Sequence, residues 1–135
     1  MSAQNRRKFI TTTFIAATGM ASCAQIPIYK ERSGIIHHVF FWLKNPASQQ
    51  DKKQLINGLE KLRKIETVKS LFIGVPAATE QRGVIDNSYS VSELMLFDDL
   101  EGEKIYQQHP IHQQFIKDNA HLWDKVVVYD VDIKQ

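Results

Sequence analysis

The nine residues Ile35 to Leu43, IIHHVFFWL, constrain this chain more than any other stretch. They are dense in β-branched and aromatic side chains, which crowd a helix and suit a pleated strand. Gly34 precedes them and Asn45-Pro46 follows, so the run is short for a helix and ends at a turn signal. It is also apolar at most positions of both parities. A strand with one wet face alternates, whereas a strand apolar at odd and even positions has both faces covered. The fold must therefore bury two sides of one sheet.

The rest of the pattern supplies one of those covers. Ser48-Gln49-Gln50-Asp51 is a capping box, and Leu55, Leu59, Leu62 and Ile65 follow it at helical spacing, with Lys52, Lys53, Lys61 and Lys64 turned outward. Val68 to Val75 reads as a second strand, ended by Gly74 and Pro76. Residues 79–88 (TEQRGVIDNS) form a polar loop, and Tyr89 to Phe97 a third strand. Asp98-Asp99 caps a short helix carrying Leu100 and Ile105, and Pro110 suits the first turn of a second helical piece, 110–122. Lys125 to Ile133 (KVVVYDVDI) is the fourth strand, where Asp130 and Asp132 alternate with Val131 and Ile133 as on a half-exposed edge.

The order β-α-β-β-α-β is the split-βαβ, ferredoxin-like pattern. The fold class is α+β, with helices on one face of a four-stranded antiparallel sheet. A body of this size buries only about 65% of its unfolded surface, so its core is thin. A second subunit is the simplest cover for the other face.

With 135 residues there is room for one domain, and residues 1–23 read as an export signal ahead of it. Arg6-Arg7-Lys8-Phe9-Ile10 resembles the twin-arginine motif. The mildly apolar stretch Phe9 to Met20, diluted by threonines and Gly19, falls short of the ~20 residues that span a bilayer. Met20-Ala21-Ser22-Cys23 resembles a lipobox, in which Cys23 becomes the lipidated first residue; the rival is ordinary cleavage after Ala24. Residues 24–33 read as a tether and 34–135 as the domain. The expected location is the periplasm, or a membrane reached only through the leader or a lipid on Cys23.

The formal charge of +2 belongs to that leader. Without residues 1–23, 14 basic side chains face 15 acidic ones, which leaves no surplus to pair with phosphates and argues against nucleic acid as a partner. Cys23 is the single cysteine, so no intramolecular disulfide forms and the body has no thiol chemistry.

Three segments resemble the stress-responsive dimeric A/B barrel (Dabb) family. They are the opening strand His37-His38-Val39-Phe40-Phe41-Trp42-Leu43-Lys44; Leu96-Phe97-Asp98-Asp99, a strand running into a capped helix; and Tyr106-Gln107-Gln108-His109-Pro110-Ile111-His112, like the family's Y-x-x-H-P-x-H signature, followed by Phe115. The resemblance spans about residues 34–134. It implies a homodimer whose sheets close into a barrel, with a cleft between sheet and helices in each subunit. One plant member is a polyketide cyclase performing an aldol closure, and its acid/base tyrosine and histidine fall on Tyr106 and His112. A further pocket histidine falls on His37 when the strand is aligned through Lys44, and on His38 when it is aligned through the apolar run. Family alone does not settle function.

The residues themselves offer chemistry and plainer roles. His109 and His112 are three apart around one helix start and are expected to share a face. Imidazole moves protons near neutral pH, and Tyr106 could hydrogen-bond a developing enolate oxygen. The plainer role is backbone hydrogen bonding at the helix junction before Pro110. Glu93 is the departure, because family members usually carry an apolar residue there. It shares strand parity with Tyr89, Val91, Met95 and Phe97. Facing a cleft it is a desolvated carboxyl with a raised pKa; facing solvent or a dimer seam it is an ordinary edge charge, which is the plainer expectation. His109, His112 and one of His37 or His38 with a carboxylate make only a weak metal signal, and no context marks a heme ligand, so no cofactor or metal is expected.

Three functions compete. The first is a dimeric domain binding a small hydrophobic or aromatic ligand through His37, His38, Glu93, His109 and Phe115. The second is an acid/base lyase or cyclase using Tyr106 and His112. The third is a stress-associated assembly protein for which dimerisation is the point. A histidine directed into an enclosed cavity beside Tyr106 or Glu93 separates the second from the others.

Overall fold

The computed structural model describes residues 33–134. The export signal, the lipidation of Cys23 and the tether up to residue 32 lie outside the described residues. The chain runs through strand β1 (Ile35–Leu43), helix α1 (Gln49–Glu60) with a 3₁₀ turn (Lys61–Lys64), strands β2 (Ser70–Gly74) and β3 (Val91–Phe97), helices α2 (Leu100–Gln108) and α3 (Pro110–Asn119) with a 3₁₀ turn (Ala120–Leu122), and strand β4 (Trp123–Asp132). The four strands form one antiparallel sheet in the order β2-β3-β1-β4. This is the α+β ferredoxin-like arrangement read from the sequence.

Local chemistry sets the boundaries. Ser48 Oγ accepts from the Asp51 amide, and Asp99 Oδ1 from the Gly102 amide, so both helices start at the capping residues foreseen. Residues 61–64, at the end of the expected first helix, tighten into the 3₁₀ turn, which lets Leu62 and Ile65 stay in the core. β2 is shorter than Val68 to Val75, and β4 starts earlier, at Trp123.

The helices pack on the odd-numbered face of β1. Leu55, Leu59 and Leu62 are fully buried against Val39, Phe41, Met95 and Phe97, and each such leucine contributes roughly 1.5–3 kcal/mol by leaving water. Gly58 lets α1 approach α3: a Cβ there would lie 2.8 Å from the Asn119 side chain, which donates to the Phe115 carbonyl.

Strand register decides which residues become neighbours. On the helix-covered face, Leu71, Met95, His37 and Asp130 form one row across the sheet, and Ile73, Glu93, Val39 and Val128 the next. On the opposite face, Phe72, Leu94, His38 and Tyr129 form a row. No helix covers that face among the described residues, and Phe72 is 62% and Tyr129 59% exposed.

Candidate functional site

The helix layer stops short of β4. Val126 and Val128 lie on the covered face yet remain exposed, and the gap above them is a half-open cavity of about 290 Å³. That volume is at the small end of ligand pockets, about 300–1,000 Å³. Its walls are mostly apolar: Val39, Phe41, Phe115, Trp123 and the two β4 valines. The polar groups that enter it are His37, Glu93, Tyr106, Gln107 and His112.

The α2–α3 break explains how Tyr106 and His112 meet. The residue before a proline is pushed out of helical conformation, and His109 is extended, with φ −67° and ψ 136°. The break leaves the Gln107 carbonyl without a helical partner. His112 Nδ1 donates to it at 3.2 Å and Gln113 Nε2 at 2.6 Å. A carbonyl only accepts, so His112 carries its proton on Nδ1 and Nε2 keeps a free lone pair. The His112 ring lies 4.4 Å from that of Tyr106, centroid to centroid. Burial holds the His112 pKa below its ordinary value; the Gln107 bond acts against this and His37 adds to it. The neutral base is thus the resting form at neutral pH.

His37 enters from β1. It is 5% exposed, its ring meets the edge of Tyr106 at 5.7 Å, and its Nδ1 lies 2.6 Å from Asp130 Oδ1. A carboxylate only accepts, so Nδ1 donates there. Asp130 is the residue that sequence reading missed. Its alternation with Val131 marks only a half-exposed strand position, and the β1–β4 register is what sets it opposite His37.

Glu93 corrects the plainer expectation. It is 2% exposed on the covered face and lines the cavity, and its Oε2 has no hydrogen-bond partner among the described residues. Burial pushes its pKa up to about 8. Burial first, then the nearby Glu93 and Glu103 carboxylates, raises the Tyr106 pKa, so this hydroxyl keeps its proton. Phe115 lines the cavity as expected.

Two expected ligand residues are placed elsewhere. His38 has the opposite parity to His37 and lies on the other sheet face, stacked near Phe40 at 4.2 Å; burial, then His37, lowers its pKa. His109 caps α3, with Nδ1 accepting from the Ile111 amide at 3.1 Å and Nε2 3.5 Å from Glu66. It does not share a face with His112, because the residue before Pro110 is not helical. Among the described residues no group of three or more His, Cys, Asp or Glu could hold a metal ion.

A ferredoxin-like sheet with a cleft between strands and helices defines a class of α+β domains. Within it, this chain belongs to the Dabb family, the stress responsive A/B barrel domain, whose family model matches residues 35–133. No curated protein matches it. Among solved structures it is similar to a Dabb family protein from Mesorhizobium loti, 23% identical with a TM-score of 0.63, covering 77% of this chain and 100% of that one. It is also similar to a dimeric ferredoxin-like protein of unknown function from Thermobifida fusca, at 22% and 0.61, covering 78% and 96%. A third is the hydroxynitrile lyase of Passiflora edulis, at 20% and 0.64, covering 78% and 97%. At these identities the likeness is one of fold.

Proposed function

We propose that this protein is an exported homodimer that binds one small hydrophobic or aromatic ligand per subunit between sheet and helices. The cavity carries this reading: apolar walls with a few convergent polar groups are what a small-molecule site requires. The apolar open sheet face supports the homodimer, as do structural neighbours described as dimeric. The leader supports export, to the periplasm or to a membrane held through a lipid on Cys23. Native mass spectrometry of the purified mature protein tests the reading. A non-covalent small molecule is expected at one per subunit, and closing the cavity with Val128→Trp is expected to remove it. An identical spectrum for the two proteins overturns the binding function.

One observation favours a second reading, acid/base catalysis. His112, with Nδ1 engaged by Gln107, has its ring against that of Tyr106, whose hydroxyl keeps its proton, and both side chains line the cavity. In such a step Nε2 takes a proton from the carbon or hydroxyl next to a carbonyl, and the tyrosine O–H donates a hydrogen bond to the oxygen that gains charge. Asp130 would act as a positioning residue, holding His37 with its Nε2 free. In this reading His112→Ala abolishes turnover and leaves the dimer intact.

A further inference from the structure

Neither reading says what Glu93 would do for a ligand, yet among the described residues its carboxyl is a buried acid without a partner. A buried polar atom without a partner is costly, and folded proteins rarely keep one without a use. The carboxyl sits in the middle of β3, opposite Val39 of β1 and Ile73 of β2, so the flanking strands offer it only apolar side chains at its own row. Oε2 is shut off from solvent and bonded to nothing, while the side chain forms part of the cavity wall. The titratable groups of the surrounding elements are His37 on β1 with Asp130 on β4, Tyr106 and Glu103 on α2, and His112 on α3. Lysine and arginine are absent from that wall, so the cavity offers Glu93 no permanent cation.

This inference rests on the reading that the cavity holds a small, mostly apolar ligand, and it names the ligand's polar end. We propose that Glu93 acts as a neutral carboxylic acid and donates a hydrogen bond to the carbonyl oxygen of an uncharged ligand. Two chemistries compete for such a carboxyl. A cationic amine would have to ionise it and shed its own water against Val39, Phe41 and Phe115. A carbonyl oxygen asks for neither change: it supplies the missing acceptor and leaves the cavity without net charge. The raised pKa agrees, since the acid keeps its proton through neutral pH. Glu93 is then a specificity-determining residue, and the ligand class is a small apolar ketone, aldehyde or ester.

Three probes of nearly equal shape test this: acetophenone, ethylbenzene and 1-phenylethylamine, titrated into the homodimer and followed by protein NMR. At pH 6.5 acetophenone is expected to bind at least about tenfold more tightly than ethylbenzene, about the discrimination one good hydrogen bond provides. Glu93→Leu should collapse that ratio to near one. Glu93→Gln keeps a donor at the same place, so it should retain the ratio and hold it flat with pH. In the wild type the ratio should fall as pH passes through about 8, where the acid loses its proton. A transition that persists in Glu93→Gln belongs to another group and overturns the assignment to Glu93. A preference for 1-phenylethylamine that grows with pH overturns the neutral acid in favour of a carboxylate that receives cations. Ethylbenzene bound as tightly as acetophenone overturns this inference alone. Failure of all three probes to bind, with no ligand in the native mass spectrum, overturns the binding reading along with it.

Discussion

The two faces of the sheet are built from similar residues and have opposite fates. On the odd face of β1, Val39 and Phe41 are buried under helices, and a gap in that cover is a cavity with two histidines, a tyrosine and an acid around it. On the even face, Phe40 and Trp42 have no helix above them among the described residues, and the row Phe72–Leu94–His38–Tyr129 crosses all four strands with both ends exposed. Adjacent histidines record the difference. His37 is fixed by Asp130 inside the cavity, whereas His38 lies among aromatic rings on the open side. One face holds the candidate site because its helix cover is incomplete. The other is the proposed interface, and no helix lies over it among the described residues.

The sharpest way to break this comparison is to charge the open face. Phe72→Asp with Tyr129→Asp puts two carboxylates in one row of the proposed interface. Sedimentation should shift from dimer to monomer at every accessible concentration, since unpaired charges buried between subunits are strongly unfavourable. The cavity lies on the other face, so probe binding should persist. A dimer that survives both changes would assign the interface elsewhere.

The next effect belongs to the covered face alone. The Glu93 pKa is about 8 in the fold against an ordinary 4.5. Between those values the unfolded chain has released a proton that the folded chain keeps. The contribution of Glu93 to stability is therefore complete below about pH 4.5 and is lost as pH rises toward 8. At about 1.4 kcal/mol per pH unit the loss is on the order of a few kcal/mol. Urea unfolding of the wild type across that range should show the decline, and Glu93→Leu should flatten it. An equal slope in the two proteins would mean that Glu93 is solvated.

The smallest effect separates the two helix-junction histidines. His109→Ala removes the α3 cap and should cost about 1 kcal/mol in urea unfolding, with no change in probe binding. A loss of binding in this variant would return His109 to the site.

Much of this was legible in the chain because it is local. The β-branched and aromatic runs, the capping Ser48 and Asp99 and the proline at the start of α3 place each element within a few residues. Y-x-x-H-P-x-H brings Tyr106 and His112 to one short junction. The sites of error are instructive. His109 looked equivalent to His112 by spacing, but helical spacing applies only inside a helix, and Pro110 holds its neighbour outside. Glu93 looked like an edge charge because an acid in an apolar strand is expensive to bury.

The sequence by itself determined the α+β class and the element order, since periodicity and capping act over a few residues. It left open which parity faces the helices, because both parities of β1 are apolar and a strand pattern cannot orient itself. Tertiary structure decided that. Once α1 and α3 settled on the odd face, His37 entered the cavity and His38 was excluded, Glu93 was buried without a partner, and Asp130 came to rest beside a histidine 93 residues away. Such pairings are set by strand register and layer packing, which belong to the whole sheet and to no single segment of the chain.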